Sequence, residues 1–133
     1  MLAHEVLRAA ADVVRAGLSH GAAAARDADG AEVALYGPAV GGTSRVGINP
    51  NATRFSAYGA VAKVLAGPGA AGVAAASMWI RLADLAKAKA SARPGGTNHT
   101  HPLVQFNADE GRTAEDVIAL LLEAADALAP VAS

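Results

Sequence analysis

The sequence predicts a mainly α-helical single domain of about four helices, with two long loops and a short β-hairpin. Three observations carry that expectation. Apolar residues make up 53% of the chain and aromatics only 4%, and about half of the apolar share is Ala, the strongest helix former. The apolar positions recur with helical rather than strand spacing. Clusters of Gly and Pro divide the chain into segments of helix length. With 133 residues the chain matches the commonest domain size, so one domain spanning 1–133 is expected.

In the first helix, over residues 2–18, Leu7, Ala11, Val14 and Leu18 form one stripe. Glu5, Arg8, Asp12 and Arg15 lie opposite, which is the pattern of an amphipathic surface helix. Gly17 and Gly21 end it. Ala22–Arg26 and Ala31–Tyr36 flank Asp27-Ala28-Asp29-Gly30, whose Asp-Gly pair suits a tight hairpin turn. From Gly37 to Asn51 the residues are turn formers without an apolar period, and a connection this long is a place to look for function.

The second helix is expected over about Ala52–Ala66, with Tyr58, Val61, Ala62 and Leu65 inward and Gly67-Pro68-Gly69 as its stop. A third covers about Ala70–Ala92. Its polar face is Ser77, Arg81, Asp84 and Lys87, and its apolar face includes Val73, Trp79, Ile80, Leu82 and Ala86. Met78 and Trp79 are adjacent, so both cannot face inward, and Trp79 is the expected core member. After Pro94-Gly95-Gly96, the second long connection runs over Thr97–Arg112, with an extended piece at Leu103–Phe106. The last helix has the clearest start, with Thr113 as N-cap and Asp116 three residues on, and Pro130 lies beyond its end. Its dense apolar face makes it the expected most buried helix.

Bulk properties exclude several functions. A net charge of −1 leaves no electrostatic footprint for nucleic acid, so no nucleic-acid partner is expected. With no Cys, disulfides, thiolate catalysis and Cys-ligated zinc are excluded, and a reducing, cytoplasmic location is expected. The charges interrupting the first helix fit neither a secretion signal nor a membrane span.

The segment Leu103–Val117, and within it Phe106-Asn107 and Gly111-Arg112-Thr113, resembles the C-terminal signature of an uncharacterised family of small actinobacterial domains of unknown function. A fainter likeness runs through Arg54–Leu65, around Tyr58-Gly59-Ala60, and through the first helix. The family pattern implies Trp at position 106 and Asp at 108, where this chain has Phe and Ala, with Asp109 one place late. The resemblance implies a bacterial helical domain and, from the settings in which some members sit, an accessory role in specialised metabolism.

The chemistry-bearing residues are few. His99-Thr100-His101, if extended, would turn both imidazoles to one side, as a zinc, copper or nickel site requires, with His20 or Asp109 as a third ligand. An exposed loop pair is the plainer reading, and neither a metal nor a cofactor is expected. Gly41-Gly42-Thr43-Ser44-Arg45 lacks the Gly-Lys-Ser/Thr ending and the preceding strand of a nucleotide loop. Asn107, Asp109 and Arg112 suit turns that hold the chain entering the last helix.

If the two long loops meet, a catalytic set of His99, His101, Asp109 and Arg54 would stand beside binding residues Tyr58, Trp79, Arg45, Asn107 and Arg112. Three readings follow: a small accessory subunit binding a larger protein partner or forming a homo-oligomer, a hydrolytic or eliminating enzyme built on that set, and a stand-alone ligand-binding module.

Overall fold

A computed structural model describes residues 1–21, 23–37, 47–70, 72–73, 75–89, 101–109 and 111–130. Within these, five helices and a two-stranded ladder follow the order α1 (Ala3–Ala16), β1 (Ala25–Arg26), β2 (Arg54–Phe55), α2 (Ala57–Leu65), α3 (Ala75–Lys89), α4 (Pro102–Ala108) and α5 (Ala114–Leu128). The mainly helical expectation holds, with one helix more than the four expected. Helix α1 packs on α5 and α2, while α3 packs on α4 and α5. The core lies between them, with Val6, Leu7, Val14, Phe55, Val61, Met78, Leu82, Leu103, Phe106, Leu120 and Leu121 all fully or almost fully buried. Among the described residues, no helix is long and apolar enough to cross a membrane.

Both α5 boundary signals hold. The Thr113 hydroxyl accepts from the Asp116 amide at 3.2 Å, and the Asp116 carboxylate accepts from the Thr113 amide at 3.1 Å, closing a capping box. Two of the backbone donors at the helix start are thereby satisfied.

Four expectations are corrected. Leu103–Phe106 is not extended but the heart of α4. Pro102 occupies the first turn and His101 caps it, and both are favoured at a helix start. On α3, Met78 rather than Trp79 enters the core, and Ile80 stands 64% exposed, because the buried stripe is Met78, Leu82 and Ala86 at spacing four. The most buried helix is α2, with five buried residues in nine, against five in fifteen for α5. It lies against α1, α4 and the ladder at once.

The hairpin is realised as a tight turn rather than a ladder of its own. Asp27 Oδ1 accepts from the Asp29 and Ala31 amides, and Arg26 bridges Glu32, but β1 pairs antiparallel with distant β2 in the register Ala25 to Phe55. The β2–α2 junction is drawn tightly onto that ladder. The Ser56 amide donates to the Ala24 carbonyl at 3.0 Å, and the Ser56 hydroxyl caps α2 by accepting from Gly59. A Cβ on Gly59 would stand 2.1 Å from the Ala24 oxygen, so glycine is required there by space, not by φ.

Candidate functional site

Each described residue singled out in the sequence has a definite place. His101 Nδ1 accepts from the Leu103 amide at 3.0 Å, which assigns the ring proton to Nε2, where it points to the Trp79 carbonyl at 3.2 Å. Both ring nitrogens are thus engaged with backbone. Asp109 closes the other end of α4, about 12 Å from His101 at 1.5 Å of rise per residue. Its carboxylate receives Arg112 Nη2 at 2.8 Å in a largely buried pair. Arg112 Nε also donates to the Phe106 carbonyl at 2.8 Å, and its guanidinium lies 3.8 Å from the centre of the Phe106 ring.

Asn107, 3% exposed, joins three parts of the chain. Its Oδ1 accepts from the first amide of α2, at Ala57, and its Nδ2 donates to the carbonyls of Ser19 and Gly21, each at 2.9 Å. Such a fully satisfied buried amide orients α4 against the other elements. The expectation that Asn107, Asp109 and Arg112 hold the entry to α5 is therefore met by Asp109 and Arg112, while Asn107 reaches across the fold.

Arg54 lies on β2 and donates to the Ala28 carbonyl at 3.2 Å. His20 is exposed, and its carbonyl accepts from Arg26. His101, Asp109 and Arg54 are thus dispersed over a helix start, a helix end and a strand. His99 and Arg45 lie outside the described residues. Among the described residues, no three His, Asp or Glu side chains are gathered as metal ligands.

The structure does assemble a cleft of about 370 Å³ lined by Tyr36, Tyr58, Ala62, Leu65, Ala66 and Trp79. Tyr58, Ala62, Leu65 and Ala66 share one stripe of α2 and its C-cap, Trp79 comes from α3, and Tyr36 comes from the loop closed by its antiparallel bridge to Ile48. The Tyr58 and Trp79 rings lie 5.0 Å apart at 32°, and His101 sets its ring against Trp79 at 5.4 Å and 72°. His101 therefore positions Trp79 twice, through the backbone and through the ring.

Tyr36 is 48% exposed. Partial burial raises its phenol pKa above the ordinary 10.0, and Tyr58 adds to the rise. Tyr58 and Trp79 are candidates on sequence grounds, and Tyr36 is not among them. The available signal was its position at the edge of the long loop in a chain with so few aromatics.

No curated protein and no solved structure matches the chain. A family model does match it, over residues 1–127. That span takes in the described elements, short only of the last residue of α5, and the six described lining residues, and the chain belongs to DUF6197, a family of unknown function.

Proposed function

We propose that this chain is a non-catalytic binding module that recognises its ligand at the Tyr36–Tyr58–Trp79 cleft. One observation carries the reading. The chain has two Phe, two Tyr and one Trp. Both Phe lie in the core, whereas both Tyr and the Trp line one open cleft. Tyr and Trp combine a large apolar body with a polar tip, a character suited to recognition surfaces. The volume falls at the small end of ligand sites, which run from about 300 to 1,000 Å³.

The hydrolytic reading draws less support, because His101 and Arg54 are held by separate backbone bonds and the Asp109 carboxylate is paired with Arg112. A thermal-shift screen tests the proposal, with Ala66→Phe as control. Ala66 is exposed at the cleft rim, so Phe fills the cleft without entering the core. Ligands should stabilise the wild type and leave the variant unmoved. Stabilisation of both alike overturns the assignment.

A second reading, the accessory subunit of a larger enzyme in bacterial specialised metabolism, is favoured by a separate feature. Met1 and Leu2 are 51% and 55% exposed, beside a mostly apolar groove that includes Val73, Leu128 and Pro130. Native mass spectrometry of protein recovered from its own host tests this reading through the presence or absence of a stoichiometric heteromer.

A further inference from the structure

The cleft's lining restricts the chemistry of what it takes, and this step rests on the cleft being the recognition site. Its α2 wall is Tyr58, Ala62, Leu65 and Ala66, where the two alanines leave a low, flat aliphatic surface beside the aromatic rings. Trp79, whose ring meets that of Tyr58 at 5.0 Å, and Tyr36 complete the described lining. None of the described lining residues is charged. A charged ligand would give up part of its hydration without gaining a counter-charge from these residues.

Flat neutral ring systems have the opposite balance. They stack offset or edge-on against Tyr and Trp at centroid distances of about 4.5–7 Å, and they cover the alanine wall without losing polar solvation. The polar groups offered are the two phenol hydroxyls and the indole N–H, which can donate. A tyrosine phenol is protonated at neutral pH, so the Tyr36 hydroxyl is available there as a donor.

We infer that the cleft binds a neutral, planar aromatic ligand of about two fused rings that carries an oxygen acceptor. The rings lie along the Ala62–Ala66 wall against Tyr58 and Trp79, and the oxygen accepts from the Tyr36 hydroxyl.

Trp79 is the chain's single tryptophan, so its indole N–H gives one resonance that reports on the cleft. The test titrates 2-naphthol, tetramethylammonium and maltose in turn into the full chain while following that resonance. The inference expects a saturable shift with 2-naphthol alone. Tyr36→Phe, which removes one hydrogen bond, should weaken it about three- to tenfold, and Ala66→Phe should weaken it more than tenfold.

A saturable shift with tetramethylammonium or maltose and none with 2-naphthol overturns the ligand class while leaving the cleft as a recognition site. Silence with all three overturns both, as does 2-naphthol binding undiminished in Ala66→Phe.

Discussion

Gly59→Ala is the sharpest test of how the fold is held, because two effects oppose each other there. Helix propensity favours the substitution, by at most about 1 kcal/mol. Space opposes it. The new Cβ would stand 2.1 Å from the Ala24 carbonyl oxygen and 3.1 Å from its carbon, where ordinary contacts begin near 3.4 Å.

The obstacle is backbone and cannot rotate away, so α2 and the β1 chain must separate by more than 1 Å by difference of those distances. That movement breaks the 3.0 Å bond from the Ser56 amide to the same Ala24 oxygen and strains the neighbouring Ala25–Phe55 pair. Overpacking costs about 1–3 kcal/mol, and an unpaired buried donor costs about as much again. The net loss is about 3 kcal/mol. Over 133 residues the unfolding entropy is about 0.28 kcal/mol/K, so Tm should fall by about 11 °C. Calorimetry with a urea titration at fixed pH measures it. An unchanged or raised Tm would refute the close-packing argument, since propensity alone would then have decided the outcome.

Four further outcomes follow from the structure. Asn107→Asp preserves volume but turns a carboxylate oxygen toward the Ser19 and Gly21 carbonyls, and should cost about 3 kcal/mol or more in urea unfolding; a loss below 1 kcal/mol would make the three-way junction incidental. Thr113→Ala should cost about 1 kcal/mol through the lost cap. The same cap is acid-sensitive: the Asp116 pKa is lowered, chiefly by its hydrogen bond to the Thr113 backbone, so its contribution is present above the ordinary aspartate range near 4 and is lost as pH falls through the folded value. Helicity followed by circular dichroism in acid should therefore decline less in Asp116→Asn than in the wild type. The raised phenol of Tyr36 stabilises the fold below pH 10 and ceases to do so as pH rises through the folded value; ultraviolet titration should show a late-ionising phenol that disappears in Tyr36→Phe.

What could be read from sequence follows how local each determinant is. The cap of α5 is decided by Thr113 and Asp116 three residues apart, and the face of α1 by spacing within four turns, so both were legible. The start of α4 was not. Seven residues are too few to form a stable helix alone, and this one is held by His101 reaching Trp79 and by Asn107 reaching Ser19, Gly21 and Ala57.

Met78 and Trp79 could not be ranked by periodicity, because adjacent residues differ by only 100° around the helix and the neighbouring α4 and α5 decide the stripe. The cleft shows the same limit. Tyr58 and Trp79 were legible as candidates, but their meeting with Tyr36 depends on the loop bridge between Tyr36 and Ile48. The proposed catalytic set paired residues by type, whereas the fold gives its described members separate partners: backbone for His101 and Arg54, the Arg112 guanidinium for Asp109.

The most direct test of the cleft as a recognition site is native mass spectrometry of the wild-type and Ala66→Phe chains, each recovered gently from the native host. The wild type should carry a small-molecule mass of a few hundred daltons, on the order of what so small a cleft can hold, and Ala66→Phe should emerge without it. A small-molecule mass retained equally by the variant, or a wild type found with a protein partner and no small molecule, would contradict this reading.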